Sequence, residues 1–86
     1  MILRGIQRRL LKTLADVDDL SGYVNLEDKG DYYDVVGWKE TFSEPKDICF
    51  KISAGEVKEL VENRCVRHAP NGDVAITAVG RELLKR

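Results

Sequence analysis

Ile48, Phe50 and Ile52 alternate with Cys49 and Lys51, the period-two pattern of a half-buried strand. The next four residues are Ser53-Ala54-Gly55-Glu56, a capping box in which serine and glutamate side chains each satisfy the other residue's free N–H. A strand therefore runs straight into a helix, predicted over Ala54 to Asn63 with Val57, Leu60 and Val61 facing inward. Burying a strand face and a helix stripe side by side selects an α+β layout.

Both flanks extend this pattern. Cys65 to Ala69 and Val74 to Ile76 read as two strands around Pro70-Asn71-Gly72-Asp73, and Asn-Gly is a strong hairpin signal. A two-residue loop would mix polar and apolar side chains on each face and would ask Pro70 for an N–H it lacks. A three-residue loop over Asn71 to Asp73 instead sets Val66, His68, Val74 and Ile76 on one face, because a one-residue slip reverses every side chain. Thr77 caps a closing helix over 78–85, with Val79, Leu83 and Leu84 inward. At the other end, Leu3, Ile6, Leu10, Leu14 and Val17 form one apolar stripe on a helix that starts near residue 2 and stops between Ala15 and Leu20. Arg4, Arg8 and Lys12 form a basic stripe on another side of it. Residues 23–47 are less decisive. Tyr23 to Leu26 suits a short strand, Glu27 to Asp31 a turn and Ser43 to Asp47 a loop. Tyr32 to Trp38 favours a strand by composition, while Tyr32, Val35 and Val36 also suit a short helix.

Eighty-six residues make one domain, 1–86. No apolar run approaches the roughly 18 residues of a membrane span, and the basic first helix is no signal peptide. Two cysteines, Cys49 and Cys65, are too few for a disulfide scaffold, so a reducing cytoplasmic setting is expected. The net charge of −1 is no nucleic-acid signature, but it is unevenly spread. Residues 1–15 carry only bases, Arg4, Arg8, Arg9 and Lys12; residues 16–34 carry seven acids against Lys29 alone. Such polarity steers charged partners.

The stretch Ile52 to Val66, with Val57, Leu60, Val61 and Val66 spaced as "x-V-x-x-L-V-x-x-x-x-V", resembles the recognition helix of winged helix-turn-helix domains and its exit into the wing. The closing Ile76-Thr77-Ala78-Val79-Gly80-Arg81-Glu82-Leu83-Leu84 is similar to their ending "L-T-x-x-G-R-x-L-L". The resemblance spans about residues 48–86. It implies a small winged-helix-like domain: an N-terminal helix, a middle helix, a short C-terminal helix and a small antiparallel sheet with a hairpin wing. It also implies a DNA-binding, transcription-regulatory role through the 54–64 helix and the 65–77 wing. Lys58, Arg64, Arg67, His68, Asn71 and Arg81 are then the DNA-contact candidates. Two features depart from the family. Residues 31–52 read mostly as strand and loop where the first helix of the unit belongs, unless Tyr32–Phe42 supplies it. The outward face of the reading helix also carries Glu56, Glu59 and Glu62, which phosphate repels.

The alternative is a non-catalytic protein-contact module of the same fold that does not bind DNA, meeting a protein partner or a second copy. Its candidates are Arg4, Arg8 and Lys12 on the first helix and Tyr32 and Trp38 in the aromatic segment; aromatics left exposed beside Val35 or Val36 would mark the contact. Chemistry finds little support. Cys65 and His68 have a Cys-x-x-His spacing, with Cys49 and Asp73 as further ligands, but residues 65 and 68 of a strand point to opposite faces. No nucleophile has a base nearby in sequence, no glycine-rich loop cradles phosphate, and the acids Glu27, Asp28, Asp31 and Asp34 lack a calcium-loop pattern. The expectation is no enzyme, no metal, no cofactor, no small-molecule substrate and no membrane.

Overall fold

The computed structural model describes residues 1–86 and is α+β. Helix α1 (Gly5–Asp19) leads into strands β1 (Gly22–Asp28), β2 (Tyr32–Glu40) and β3 (Pro45–Ser53). Helix α2 (Ala54–Glu62), strands β4 (Val66–His68) and β5 (Val74–Ile76), and helix α3 (Ala78–Leu84) come next along the chain. β1, β2 and β3 form an antiparallel meander, and β4 and β5 form a separate antiparallel pair. No helix is long and apolar enough to cross a membrane.

The segment Tyr32 to Trp38 is strand throughout. It is central in the sheet, with Val35 between Leu26 and Phe50 and Val36 between Asn25 and Cys49. Aromatic and β-branched side chains pack well on such a pleated surface. The expected loop Ser43–Asp47 is shorter than its composition suggested, because β3 already starts at Pro45. A proline is tolerated at the first position of a strand on the edge of a sheet, where the N–H it lacks is not needed for the ladder.

The strand-to-helix switch occurs at Ser53. Its Oγ accepts from the Glu56 N–H at 3.2 Å. Only this half of the expected capping box forms: Glu56 sends no bond back, and its Oε2 is buried without a partner. Gln7 of α1 holds the turn from the other side, donating through Nε2 to the Glu56 carbonyl and to Glu59 Oε1, both at 3.2 Å. Gln7 Oε1 in turn accepts from the Arg4 N–H at 3.0 Å. Gln7 is the one polar residue that is fully buried, and these three bonds satisfy it.

A single cluster joins Leu10, Leu11 and Leu14 of α1, one face of the sheet (Val24, Leu26, Val35, Ile48, Ile52), Val57 and Leu60 of α2, Cys65, and Val66, Val74 and Ile76 of the hairpin. Each fully buried leucine is worth about 1.5–3 kcal/mol of apolar transfer. The α1 stripe differs from the expected one. Leu3, Ile6 and Val17 lie at the margin of the core, whereas Gln7 and Leu11 are completely covered. α1 touches α2, α3, β1 and β5 at once, so its buried arc is wider than one stripe. Val61 and Val79, expected inside, are 41% and 46% exposed. α3 approaches with Gly80, which is buried, and this close approach leaves the neighbouring valine outside.

Two helical glycines obey opposite rules. A Cβ on Gly80 would run into the Cys65 carbonyl oxygen and come within 2.8 Å of Ile76 Cγ1; a Cβ on Gly55 would meet nothing within 4 Å. Gly80→Ala is expected to cost about 1–3 kcal/mol through overpacking. Gly55→Ala is expected to add about 0.5–1 kcal/mol through helix propensity. Urea melts of both variants check this, and the same sign for both contradicts the packing described.

Candidate functional site

The hairpin that the resemblance makes a wing is not a free arm. Its strands pair Val66 with Ile76, Arg67 with Ala75 and His68 with Val74, so Val66, His68, Val74 and Ile76 share a face as expected. The loop is three residues long but lies one position earlier than expected, Pro70 to Gly72, because the Ala69 N–H already bonds the Asp73 carbonyl at 2.8 Å. The tip then docks on β1. Leu26 N–H donates to the Gly72 carbonyl at 2.7 Å. Asn25 Nδ2 donates to the Asn71 carbonyl at 3.2 Å and to Asp73 Oδ1 at 3.0 Å. Gly72 has φ +96°, and a Cβ there would press on the Leu26 carbonyl oxygen at 2.8 Å. Asn71 spends its amide on Asp73, accepting from its N–H at 3.0 Å and donating to Oδ2 at 3.2 Å, which closes an Asx turn.

The other DNA-contact candidates divide by their partners. Arg81 pairs with Asp18 at 3.0 Å and Asp19 at 3.7 Å, so α3 neutralises the acidic end of α1. Lys58 is exposed and sits 3.9 Å from Glu62 along α2. His68 is half-buried and meets Tyr33 edge-on, with ring centroids 5.4 Å apart. Arg64 and Arg67 are exposed and take part in no ion pair. They flank a shallow groove lined by Val61, Val66 and Val79. The fold thus brings Arg64 and Arg67 together and commits Arg81 and Asn71 elsewhere. The helix that precedes α2 is α1, separated from it by the whole three-stranded sheet.

Arg64 carries a backbone cost. Its φ is +61°, making it the only non-glycine residue with positive φ. The Cys65 N–H reaches the Leu60 carbonyl at 2.9 Å and the Arg64 N–H reaches Val61 at 3.0 Å, a Schellman stop with arginine where glycine is usual. Thr77 fixes this corner from the far side. Its hydroxyl donates to the Arg64 carbonyl, its N–H donates to Cys65 at 3.0 Å, and its Oγ1 accepts from Gly80 at 3.2 Å.

The protein-contact candidates fall on two surfaces. Arg8 and Lys12 are exposed on α1, and Arg4 is exposed at its N-cap, because the helix starts at Gly5 and not near residue 2. Arg8 Nη1 donates to the Leu84 carbonyl at 3.4 Å, near the end of α3 where a helix dipole favours a cation. Tyr32 and Trp38 lie on the sheet face away from the core. Every sheet residue in the core cluster comes from the opposite face. The outer face holds Tyr23 opposite Trp38, Asn25 opposite Val36, and Trp38 opposite Asp47. Tyr23 is 60% exposed, and Phe42, in the turn at the same end of the sheet, is completely exposed. Tyr32 is half-buried under Lys51, whose Nζ stands 5.0 Å from the ring centroid. Tyr23 is among the aromatics expected to mark a contact if exposed, and Phe42 ends the aromatic segment 32–42, but the sequence reading assigns neither to this face. The signal was the alternation along Tyr23 to Leu26, which turns Val24 and Leu26 inward and Tyr23 outward.

The two thiols sit apart. Cys49 is exposed on the outer face and Cys65 is completely buried. No group of three or more His, Cys, Asp and Glu side chains converges to hold a metal ion. Burial pushes the Cys65 thiol above its ordinary value, with the chain's amino terminus acting weakly in the other direction. Compared with protein-family models, curated proteins and solved structures, the chain finds no match.

These local geometries set two expected outcomes. Arg64→Gly relieves the left-handed strain and is expected to raise stability by about 0.5–1 kcal/mol in a denaturant melt. Because the folded Cys65 thiol ionises later than the unfolded one, its contribution is fully present below the ordinary thiol value of 9.0 and is lost as pH rises toward the folded value. The stability difference between wild type and Cys65→Ala should shrink above that pH, while a thiol reagent at neutral pH labels Cys49 quickly and Cys65 only on unfolding.

Proposed function

We propose that this chain is a non-catalytic protein-interaction module that presents the outer face of its three-stranded sheet, at the end marked by Tyr23, Trp38 and Phe42, to a protein partner. The supporting observation is that all the buried sheet residues belong to one face, while the other face keeps an aromatic row in water. An indole half-buried among its own neighbours with an exposed tyrosine beside it has the composition of an interface anchor. Asn25, Glu27, Asp34 and Asp47 surround the aromatics on that face and supply a polar rim. The two unpaired cysteines agree with a reducing, cytoplasmic setting.

A second reading, DNA contact through α2 and the β4–β5 hairpin, is favoured by one observation: Arg64 and Arg67 are neighbouring, exposed cations without a carboxylate partner. Three features weigh against it. The loop tip is bonded to β1, Arg81 is paired with α1, and Lys58, the one cation of α2, sits 3.9 Å from Glu62, while Glu56 and Glu59, expected on the outward face, turn toward Gln7 of α1. A helix-turn-helix unit would also need a helix next to α2 in sequence, where β3 stands.

The test compares variants rather than the wild type alone. Trp38→Ala is expected to weaken partner binding about thirtyfold, the effect of a ~2 kcal/mol anchor, with Arg67→Ala nearly neutral. Anisotropy with a random DNA duplex is expected to stay flat at low salt. A partner held undiminished by Trp38→Ala removes the first reading. Duplex binding that weakens steeply with salt and falls on Arg67→Ala establishes the second.

A further inference from the structure

The meander has two edges, and they differ. β1 is interrupted at Leu26, whose N–H is taken by the hairpin tip. β3 pairs with β2 alone. The phase of the ladder fixes which β3 groups are free. Glu40 N–H bonds Ser21 at 2.8 Å and Lys29 N–H bonds Tyr32 at 2.9 Å, so even-numbered residues of β2 address β1. Odd-numbered residues then address β3, and on that register Ala54 N–H bonds Asp31 at 2.9 Å. The alternation turns the N–H and C=O of Asp47, Cys49 and Lys51 away from β2, toward open solvent. All three residues are exposed, and their N–H groups bond no loop or side chain.

We propose that a second copy of this chain binds at this edge, the two β3 strands running antiparallel about a two-fold axis at Cys49. In that register Asp47 faces Lys51 of the second copy, Lys51 faces its Asp47, and Cys49 faces its Cys49. These are the residues whose backbone groups are free, so each opposed pair exchanges both N–H···O bonds. On the core side, Ile48 meets Phe50 of the second copy. Phe50 is half-buried, with the Arg9 guanidinium 4.2 Å above its ring, and the pairing covers its open margin.

Charge selects this register over its neighbours. Sliding one strand by two residues sets Lys51 against Pro45 or against Cys49, and both ion pairs are lost. Lysine and proline on an edge strand usually discourage pairing. Here Lys51 is matched by a carboxylate across the axis, and Pro45 lies beyond the opposed residues. This contact shares Asp47 with the rim of the partner face but rests on a separate observation, the free backbone groups along the β3 edge.

The experiment is sedimentation of the full chain with two charge variants. Wild type is expected to be a dimer, and a short bis-maleimide should join two chains through Cys49, since Cys65 is buried. Asp47→Lys alone and Lys51→Asp alone each place like charges in opposition twice, and each should weaken self-association about tenfold or more. An equimolar mixture of the two variants restores opposite charges in every pair and should dimerise like wild type. The mixture distinguishes a lost contact from a lost fold. A wild-type chain that stays monomeric at about millimolar concentration overturns the proposal. So does a dimer that neither variant weakens, or a mixture no tighter than its components.

Discussion

A three-stranded sheet has two faces, and this chain has enough apolar surface to cover one. Val24, Leu26, Val35, Ile48 and Ile52 all point to the same side, where α1, α2 and the hairpin close over them. That asymmetry governs how the helices sit and where the surface stays open. α1 has to reach both helices and the hairpin, so its buried arc takes in Gln7 and Leu11 as well as Leu10 and Leu14. A polar side chain in that position is tolerated because Gln7 uses both ends of its amide, tying α1 to the first turn of α2. The uncovered face keeps Tyr23, Val36 and Trp38 in contact with water.

The C-terminal half was the most legible part of the sequence. The alternation of Ile48, Phe50 and Ile52 and the serine at position 53 specify a strand, a cap and a helix locally, and Ser53 caps Glu56 as expected. Thr77 caps α3 for the same reason. Local rules fail where the answer depends on distant partners. Tyr32 to Trp38 is a strand because β1 and β3 stand on either side of it, which its own residues do not reveal. Val61 and Val79 obey helical spacing yet stay outside, since a close approach at Gly80 fixes how α3 sits against Cys65.

The candidate site shows the same division. Exposure of Arg64 and Arg67 is set by their places at a helix end and on the outward side of β4. The pairing of Arg81 with Asp18 and Asp19, and the bonding of the loop tip to Asn25 and Leu26, link residues more than forty positions apart. No spacing rule anticipates them. Likeness of the segment from Ile52 to Leu84 to a DNA-reading unit is a likeness of local pattern. The long-range bonds are what take Asn71 and Arg81 out of the set of free groups.

The bond from Leu26 to Gly72 also bears on how far such molecules can stack. An approaching strand would collide with the turn seated on β1, so only one side of the sheet can accept an added strand. Ribbon-like growth needs both margins available. With one margin capped from within, assembly by strand addition closes at a pair, and a short peptide turn serves as the molecule's own chain terminator.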